Sequence, residues 1–172
     1  HPNIKESQAN KALVDAVSDM EGVAVFNLYE LSQEIAFNID EWSKIISDAS
    51  AVIYQFPFYW MSAPSLLKKW QDEVFTFLSK TPAVAGKPLT VVTTTGSEYE
   101  AYRSGGRNRF TTDELLRPYQ VTAIHSGMSW QTPIVVYGMG TADAGKNIAE
   151  GANLYKQRVE MLIGSSNAGN NW

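Results

Sequence analysis

The sequence predicts an α/β fold in which helices cover a mostly parallel sheet on both faces. Three observations predict it. Short β-branched and apolar runs alternate along the chain with segments whose apolar residues recur at helical spacing. One of those runs, Ala51 to Phe56, is apolar almost throughout, the pattern of a strand buried on both faces. The 172 residues contain no internal repeat, low-complexity run or linker, so 1–172 reads as a single domain large enough to bury a core.

Each element follows from local signals. His1 to Glu6 reads as loop. Ser7 is an N-cap for a helix to about Met20, with Ala12, Leu13, Ala16 and Val17 on one face, and Gly22 ends it. Val23, Val25, Phe26 and Leu28 predict a strand. Asp40 to Ala49 predicts a helix with Trp42, Ile45, Ile46 and Ala49 aligned. After the Ala51–Phe56 strand, Pro57 stops pairing, and Pro64 opens a helix carrying Leu66, Leu67, Trp70, Val74, Phe75 and Leu78. Leu89 to Thr95 predicts a further strand, ending in threonines and Gly96. Gly105-Gly106 marks a loop, and Thr112 to Leu116 a short helix stopped by Pro118. Val121 to Ile124 and Ile134 to Tyr137 predict strands, and Thr141 to Ile163 the last helix. The tail from Gly164 to Trp172 is polar and predicts fraying, with no role assigned to Trp172.

Composition excludes several classes of function. Net charge is −4, with 44% hydrophobic and 19% charged residues, which is a soluble globular balance and no match for nucleic acid as a partner. No apolar run approaches the roughly 20 residues that span a bilayer. The absence of cysteine excludes disulfides, thiolate metal sites and a cysteine nucleophile, and with two histidines no metal site is expected. No signal-peptide pattern opens the chain, so the expected compartment is the cytoplasm. His125 falls on a predicted strand and reads as structural, and Lys68-Lys69 reads as a solvated helix face.

In sheets of this kind ligands bind beyond the carboxyl ends of the strands. The loops to read are therefore His1 to Glu6, Pro57 to Ala63 and Thr94 to Tyr102. The first leads into a helix start whose free N–H groups suit a phosphate, or it is simply a capped helix. The second holds Phe56, Phe58, Tyr59 and Trp60 within five residues. Too bulky for a surface loop without purpose, they fit either a flat ligand or a subunit interface. The third offers hydroxyls and N–H groups to the polar edge of a heterocycle, or is a turn with satisfied threonines. There is no Walker-type loop and no G-x-G-x-x-G, so neither a triphosphate nor a Rossmann-bound dinucleotide is indicated.

Taken together, in order and at matching spacing, these segments resemble the flavodoxin-like NAD(P)H:quinone oxidoreductases, the diaphorase family. The likeness is to its bacterial branch, which includes the ancillary oxidoreductases of glutathione-gated potassium-efflux systems. The runs that carry it are His1-Pro-Asn with Ser7-Gln-Ala-Asn10, Phe37-Asn-Ile-Asp40, Gln55-Phe-Pro-Phe-Tyr-Trp60 and Pro64-Ser-Leu-Leu-Lys-Lys-Trp70. They continue through Thr94-Thr-Gly96, Gly105-Gly-Arg-Asn-Arg-Phe-Thr111 and Glu114-Leu-Leu-Arg-Pro118 to Gly127-Met128, Trp130 and Pro133.

The resemblance implies a three-layer sandwich with strand order 2-1-3-4-5. The first, central strand would lie just ahead of the His-Pro loop, and the protein is expected to carry it before His1. FMN is the implied cofactor, with FAD as the alternative. His1, Ser7, Gln8, Ala9 and Asn10 match the segment that holds the flavin phosphate and ribityl chain. Pro57, Phe58, Tyr59, Trp60 and Met61 match the stretch against the isoalloxazine, and Thr94, Thr95, Gly96 and Ser97 the loop along its polar edge. Tyr102 matches a catalytic tyrosine beside the ring. Some relatives pair that tyrosine with a histidine where this chain has Asn108, and some have a glycine at Ser97 or a phenylalanine at Met61.

The implied activity is two-electron hydride transfer from NAD(P)H to a quinone-like acceptor in a ping-pong cycle, carried out by a homodimer. Two other roles fit the same sequence: a regulatory partner of a potassium-efflux membrane transporter, and a flavodoxin-type one-electron carrier.

Overall fold

A computed structural model describes residues 1–31 and 36–168. Four strands form one sheet, and every pairing in it is parallel. β1 (Val52–Pro57) runs along β2 (Pro88–Thr94), from Val52 opposite Leu89 to Pro57 opposite Thr94. The other edge of β2 takes two short strands end to end. β3 (Ser129–Trp130) lies beside Pro88 and Leu89, and β4 (Ile134–Val136) beside Val92 to Thr94.

The helices in chain order are α1 (Gln8–Asp15), α2 (Leu28–Leu31), α3 (Ile39–Asp48), α4 (Ser65–Trp70), α5 (Thr76–Leu78), α6 (Thr112–Leu115), α7 (Arg117–His125) and α8 (Ala144–Ala168). A π-helical turn, Gln71–Phe75, joins α4 to α5. The Ser7 hydroxyl accepts the Asn10 N–H at 3.1 Å and caps α1. The Asn38 side chain caps α3 in the same way, accepting from Asp40 and Glu41. These caps satisfy N–H groups that the first helical turn leaves without a partner.

The strand β1 alternates between two cores, as a strand covered on both faces must. Val52, Tyr54 and Phe56 pack with Leu89 and Val91 under α3, α4 and α7, where Trp42, Trp70, Val74, Leu116 and Tyr119 fill the layer. On the opposite face Val92, Ile134 and Val136 pack against Leu13 and Val17 beside Tyr155 and Val159 of α8.

The α/β fold and the β1, β2 and β4 strands agree with the sequence reading, and several local expectations do not; the first helix, expected to about Met20, ends at Asp15. Val23 to Leu28 is not a strand: the chain is irregular through Asn27, and Leu28 begins α2. A strand needs a ladder partner. Beside these residues lies a cleft of about 790 Å³ instead, with β1 on its far side. Val121 to Ile124 belongs to α7, where Val121 and Ile124 face solvent. Pro118 does not stop a helix there. It sits in the first turn of α7, where its missing N–H costs nothing. His125 is accordingly on a helix, its carbonyl accepting Lys80 Nζ at 2.7 Å. The last helix runs through Gly164 to Ala168, past the expected start of fraying. Trp172 lies outside the described residues. No helix among those residues is long and apolar enough to cross a membrane. Lys68 and Lys69 do lie on a solvated face, paired with Asp72 and Glu73 one turn on.

Candidate active site

Three loops meet at the carboxyl ends of β1 and β2, and specific bonds hold them together. The first is tied down from α1. Asn10 is buried, and its Nδ2 donates to Thr94 Oγ1 at 3.0 Å, while its carbonyl accepts from Gln55 Nε2 at 2.9 Å. One residue, through its side chain and its main-chain carbonyl, thus ties the start of α1 to both central strands. Among the described residues the N–H groups of Gln8 and Ala9 have no protein acceptor, and they stand at the positive end of the helix. His1 completes this side: its Nδ1 accepts the Asn3 N–H at 2.9 Å and its Nε2 meets the Tyr59 hydroxyl at 3.2 Å.

The second loop leaves β1 as a tight hairpin. The Tyr59 and Ser62 main chains exchange two hydrogen bonds of 2.9 and 3.0 Å. Between them Trp60 and Met61 have φ of 48° and 63°. Both are in the left-handed region, which costs a residue with a side chain on the order of 1 kcal/mol. The turn survives because its base is anchored. The Tyr119 hydroxyl of α7 accepts the Ala63 N–H at 3.0 Å and meets Ser62 Oγ at 3.2 Å. Pro57 is buried at the end of β1, and the Phe58 N–H donates to the Thr94 carbonyl at 2.9 Å. The hairpin's shape therefore holds Trp60 outward, 97% exposed.

The third loop, Thr94 to Ser97, is stitched to the segment leaving β4. Thr95 N–H donates to Val136, Gly138 N–H to Ser97, Met139 N–H to Thr95 and Gly140 N–H to Gly96, all at 2.9 Å. Thr95 spends its hydroxyl inside the loop, on the Ser97 carbonyl. What remains unused, among the described residues, are the N–H groups of Gly96 and Ser97. Successive main-chain N–H groups of this kind form an anion- or carbonyl-binding nest. Arg107 Nη2 reaches Ser97 Oγ and brings a positive charge to its rim.

Tyr102 closes the site. Its ring is buried between Phe58, at a centroid distance of 6.1 Å, and Tyr137, at 5.9 Å. Its hydroxyl makes no hydrogen bond among the described residues. The loop that follows must pass close over the main chain of Glu100 and Ala101. A Cβ on Gly106 would sit 2.1 Å from the Glu100 carbonyl oxygen, so only glycine fits there. Asn108 is engaged through its main chain, N–H to the Ala101 carbonyl.

The structure thus brings His1 to Tyr59, Asn10 to Thr94 and Phe58 to Tyr102. It leaves Trp60 and Met61 apart from them at the hairpin tip. Arg107, Tyr119 and Tyr137 were not among the residues expected from sequence. Tyr137 carried a usable signal: it follows a strand, and the rule that selected Thr94 also selects it. The larger of two cavities runs along the free edge of β1, and His1, Asn10 and Gln55 are among the residues that line it. A second, of about 560 Å³, opens behind Tyr102 and Tyr137.

A donor-lined ledge at the carboxyl ends of a parallel sheet is a common device of many unrelated proteins, and comparison decides between them. The family model described as the flavodoxin-like fold matches residues 1–159. The chain belongs to the flavodoxin-like family. Among relatives, general stress protein 14 of Bacillus subtilis is 35% identical, covering 94% of either chain. The NAD(P)H oxidoreductase YdeQ of Bacillus subtilis is 34% identical over 94% of this chain and 84% of its own. The glutathione-regulated potassium-efflux system ancillary protein KefG of Serratia proteamaculans is 36% identical over 80% of this chain and 77% of its own. Among solved structures, general stress protein 14 of Treponema denticola in complex with FMN superposes with TM-score 0.85 and 28% identity, covering 94% of this chain and 95% of that one. An NADPH-quinone reductase from P. pentosaceus gives 0.77 and 27%, over 92% of each. This flavodoxin-like chain superposes on both solved structures over nearly its whole length.

Proposed function

We propose that this flavodoxin-like protein is an FMN-dependent oxidoreductase that takes electrons from NAD(P)H and passes them to a quinone-type acceptor. The observation that carries the reading is the set of unpaired donors at one place: the Gly96 and Ser97 N–H groups, the Tyr102 hydroxyl and the Gln8 and Ala9 N–H groups. Their chemistry fits FMN, which has a carbonyl-bearing ring edge at one end and a phosphate at the other. The likeness to the FMN complex and to NAD(P)H and quinone oxidoreductases supports the same choice.

FMN, when bound, supplies the hydride-accepting ring. The residues do the rest. His1, Ser7, Gln8, Ala9 and Asn10 hold the phosphate and ribityl chain against the start of α1. Thr94, Thr95, Gly96 and Ser97 form the ledge for the polar ring edge. Thr95 acts through its main chain, because its hydroxyl is internal. Pro57, Phe58, Tyr59, Trp60 and Met61 form the wall beside the ring. Tyr102 would be the catalytic residue: its hydroxyl would be placed to donate to the polar ring edge of bound FMN. Donor and acceptor use the same open face in turn, a ping-pong order. The exposed Trp60–Met61 tip and Phe110 support contact with a second copy of the chain.

The decisive experiment is optical. Purified protein, or protein mixed with FMN, shows the absorption of bound oxidised flavin and bleaches on addition of NADPH. Protein that stays colourless with FMN rules the reading out. Initial-rate lines that intersect, where parallel lines are expected, rule out the ping-pong order. A second reading, regulatory partner of a membrane transporter, is favoured by the likeness to KefG. Co-purification with a potassium-efflux transporter tests it.

A further inference from the structure

We propose that Tyr137 is a positioning residue for Tyr102, held in place by its hydroxyl bond to Thr112. The inference rests on the reading that Tyr102 donates to the bound ring, and extends it to a residue that makes no contact there.

The Tyr102 hydroxyl has no protein partner among the described residues, so packing of its ring is what aims it. A donor that must meet a developing charge needs placement to within a few tenths of an ångström. Phe58 supplies one side of the packing and Tyr137 the other. Phe58 sits at the start of the hairpin, while Tyr137 is fixed from several directions. Its hydroxyl meets Thr112 Oγ1 at 2.7 Å, and Thr112 is buried in the first turn of α6. Its ring edge meets Tyr99 at 5.4 Å. Its carbonyl accepts Asn147 Nδ2 at 2.9 Å, and its neighbours Val136 and Gly138 bond to Thr95 and Ser97.

The hydroxyl anchor matters because of what lies behind it. The cavity of about 560 Å³ is lined by Tyr99, Tyr102, Thr112 and Tyr137. A ring beside open volume has somewhere to swing once its tip is released, unlike a ring enclosed in a packed core. Burial raises the Tyr137 phenol above its ordinary value, as do Asp113, Tyr99 and Tyr102, against the opposing effect of the Thr112 bond. The group therefore stays protonated at neutral pH, able to keep that bond.

The test measures the affinity of the protein for oxidised and for reduced FMN, whose ratio reports stabilisation of the charged ring. Four variants are compared: Tyr102→Phe, Tyr137→Phe, Thr112→Val and Tyr102→Phe with Tyr137→Phe. Tyr102→Phe lowers preference for reduced FMN about tenfold, the scale of one hydrogen bond to a charged group. Tyr137→Phe and Thr112→Val, which cut the same bond from opposite ends, each lower it about threefold. The double variant is no worse than Tyr102→Phe alone, because Tyr137 acts only through Tyr102. If Tyr137→Phe and Thr112→Val lower the melting temperature but leave the ratio at the wild-type value, Tyr137 is merely structural and the proposal falls. Additive losses in the double variant overturn it too. A wild-type ratio in Tyr102→Phe removes the role of Tyr102 itself, which is a separate failure.

Discussion

The two edges of β1 differ sharply. On one edge it pairs with β2 along its full length, and the loops beyond are stitched and anchored. On the other edge it faces a cleft of about 790 Å³, bounded by Val23 to Leu28, with helices above and below. Two polar atoms there are buried without partners, the Tyr54 hydroxyl and the Trp70 indole nitrogen. Burial, against the opposing effect of Gln71 and with a smaller push from Tyr119, holds the Tyr54 phenol well up. The candidate site straddles this boundary. The Gly96–Ser97 ledge, proposed for the ring edge, stands on the paired half. The side proposed for the phosphate, His1 to Asn10, reaches across the open half and is held by Asn10, Gln55 and the His1–Tyr59 contact.

The largest expected effect comes from removing the contrast. A six-residue Val/Ile peptide, added at saturating concentration, offers the open edge a partner, with His1 on the wall of that cleft. Burying such side chains at ~2 kcal/mol each exceeds ordering their backbone at ~1.5 kcal/mol each, so stability rises by roughly 3 kcal/mol. Chemical denaturation measures the gain, and slowed amide exchange in Val52 to Pro57 locates it. An unchanged midpoint means that the cleft does not accept a strand.

Next in size is the bond that bridges the halves. Asn10→Ala removes the Nδ2 donor from Thr94 Oγ1, while Gln55 keeps the main-chain carbonyl of residue 10, and costs about 1 kcal/mol. FMN affinity falls at least tenfold, because the start of α1 is released. Full FMN binding in this variant would mean that the phosphate side is positioned by something else. Smaller again is the hairpin tip. Met61→Gly relieves a left-handed φ of 63° and stabilises by about 0.5–1 kcal/mol in a thermal melt. A loss there would show that Met61 packs against a partner.

The smallest effect lies on the paired half, at the start of α6. Hydrogen bonds from the Thr111 N–H and hydroxyl hold the Glu114 carboxyl below its ordinary value of 4.5. The folded state therefore prefers the ionised form. That contribution is present above pH 4.5 and is lost as pH falls through the lowered folded value. Glu114→Gln flattens this part of a stability–pH curve. Parallel curves for the two proteins would show that the capping box contributes nothing.

The same comparison explains what could be read from sequence. Ala51 to Phe56 and Leu89 to Thr95 were legible because a strand flanked on both sides must be apolar throughout, and the threonines at the end of β2 pointed to the ledge. Val23 to Leu28 has equally good β-branched character, but a strand is a property of a pair, and among the described residues no neighbour completes it. Val121 to Ile124 failed for the opposite reason: Pro118, taken as a stop, starts the helix that contains it. Ser7 announced its cap locally. The Asn10–Thr94 bond joins residues 84 positions apart, and no local signal encodes it. Tyr119 acts through tertiary contacts in the same way and was invisible to spacing.

The crossing of Thr95–Ser97 with Val136–Gly140 is made by main-chain atoms. Such a joint is indifferent to which side chains hang from it. Substitution at Ser97, Tyr99 or Met139 can therefore re-tune the electronics presented to a ligand while the donors stay at fixed coordinates. The joint separates where chemistry happens from which chemistry it is, and that separation lets one scaffold diversify without refolding.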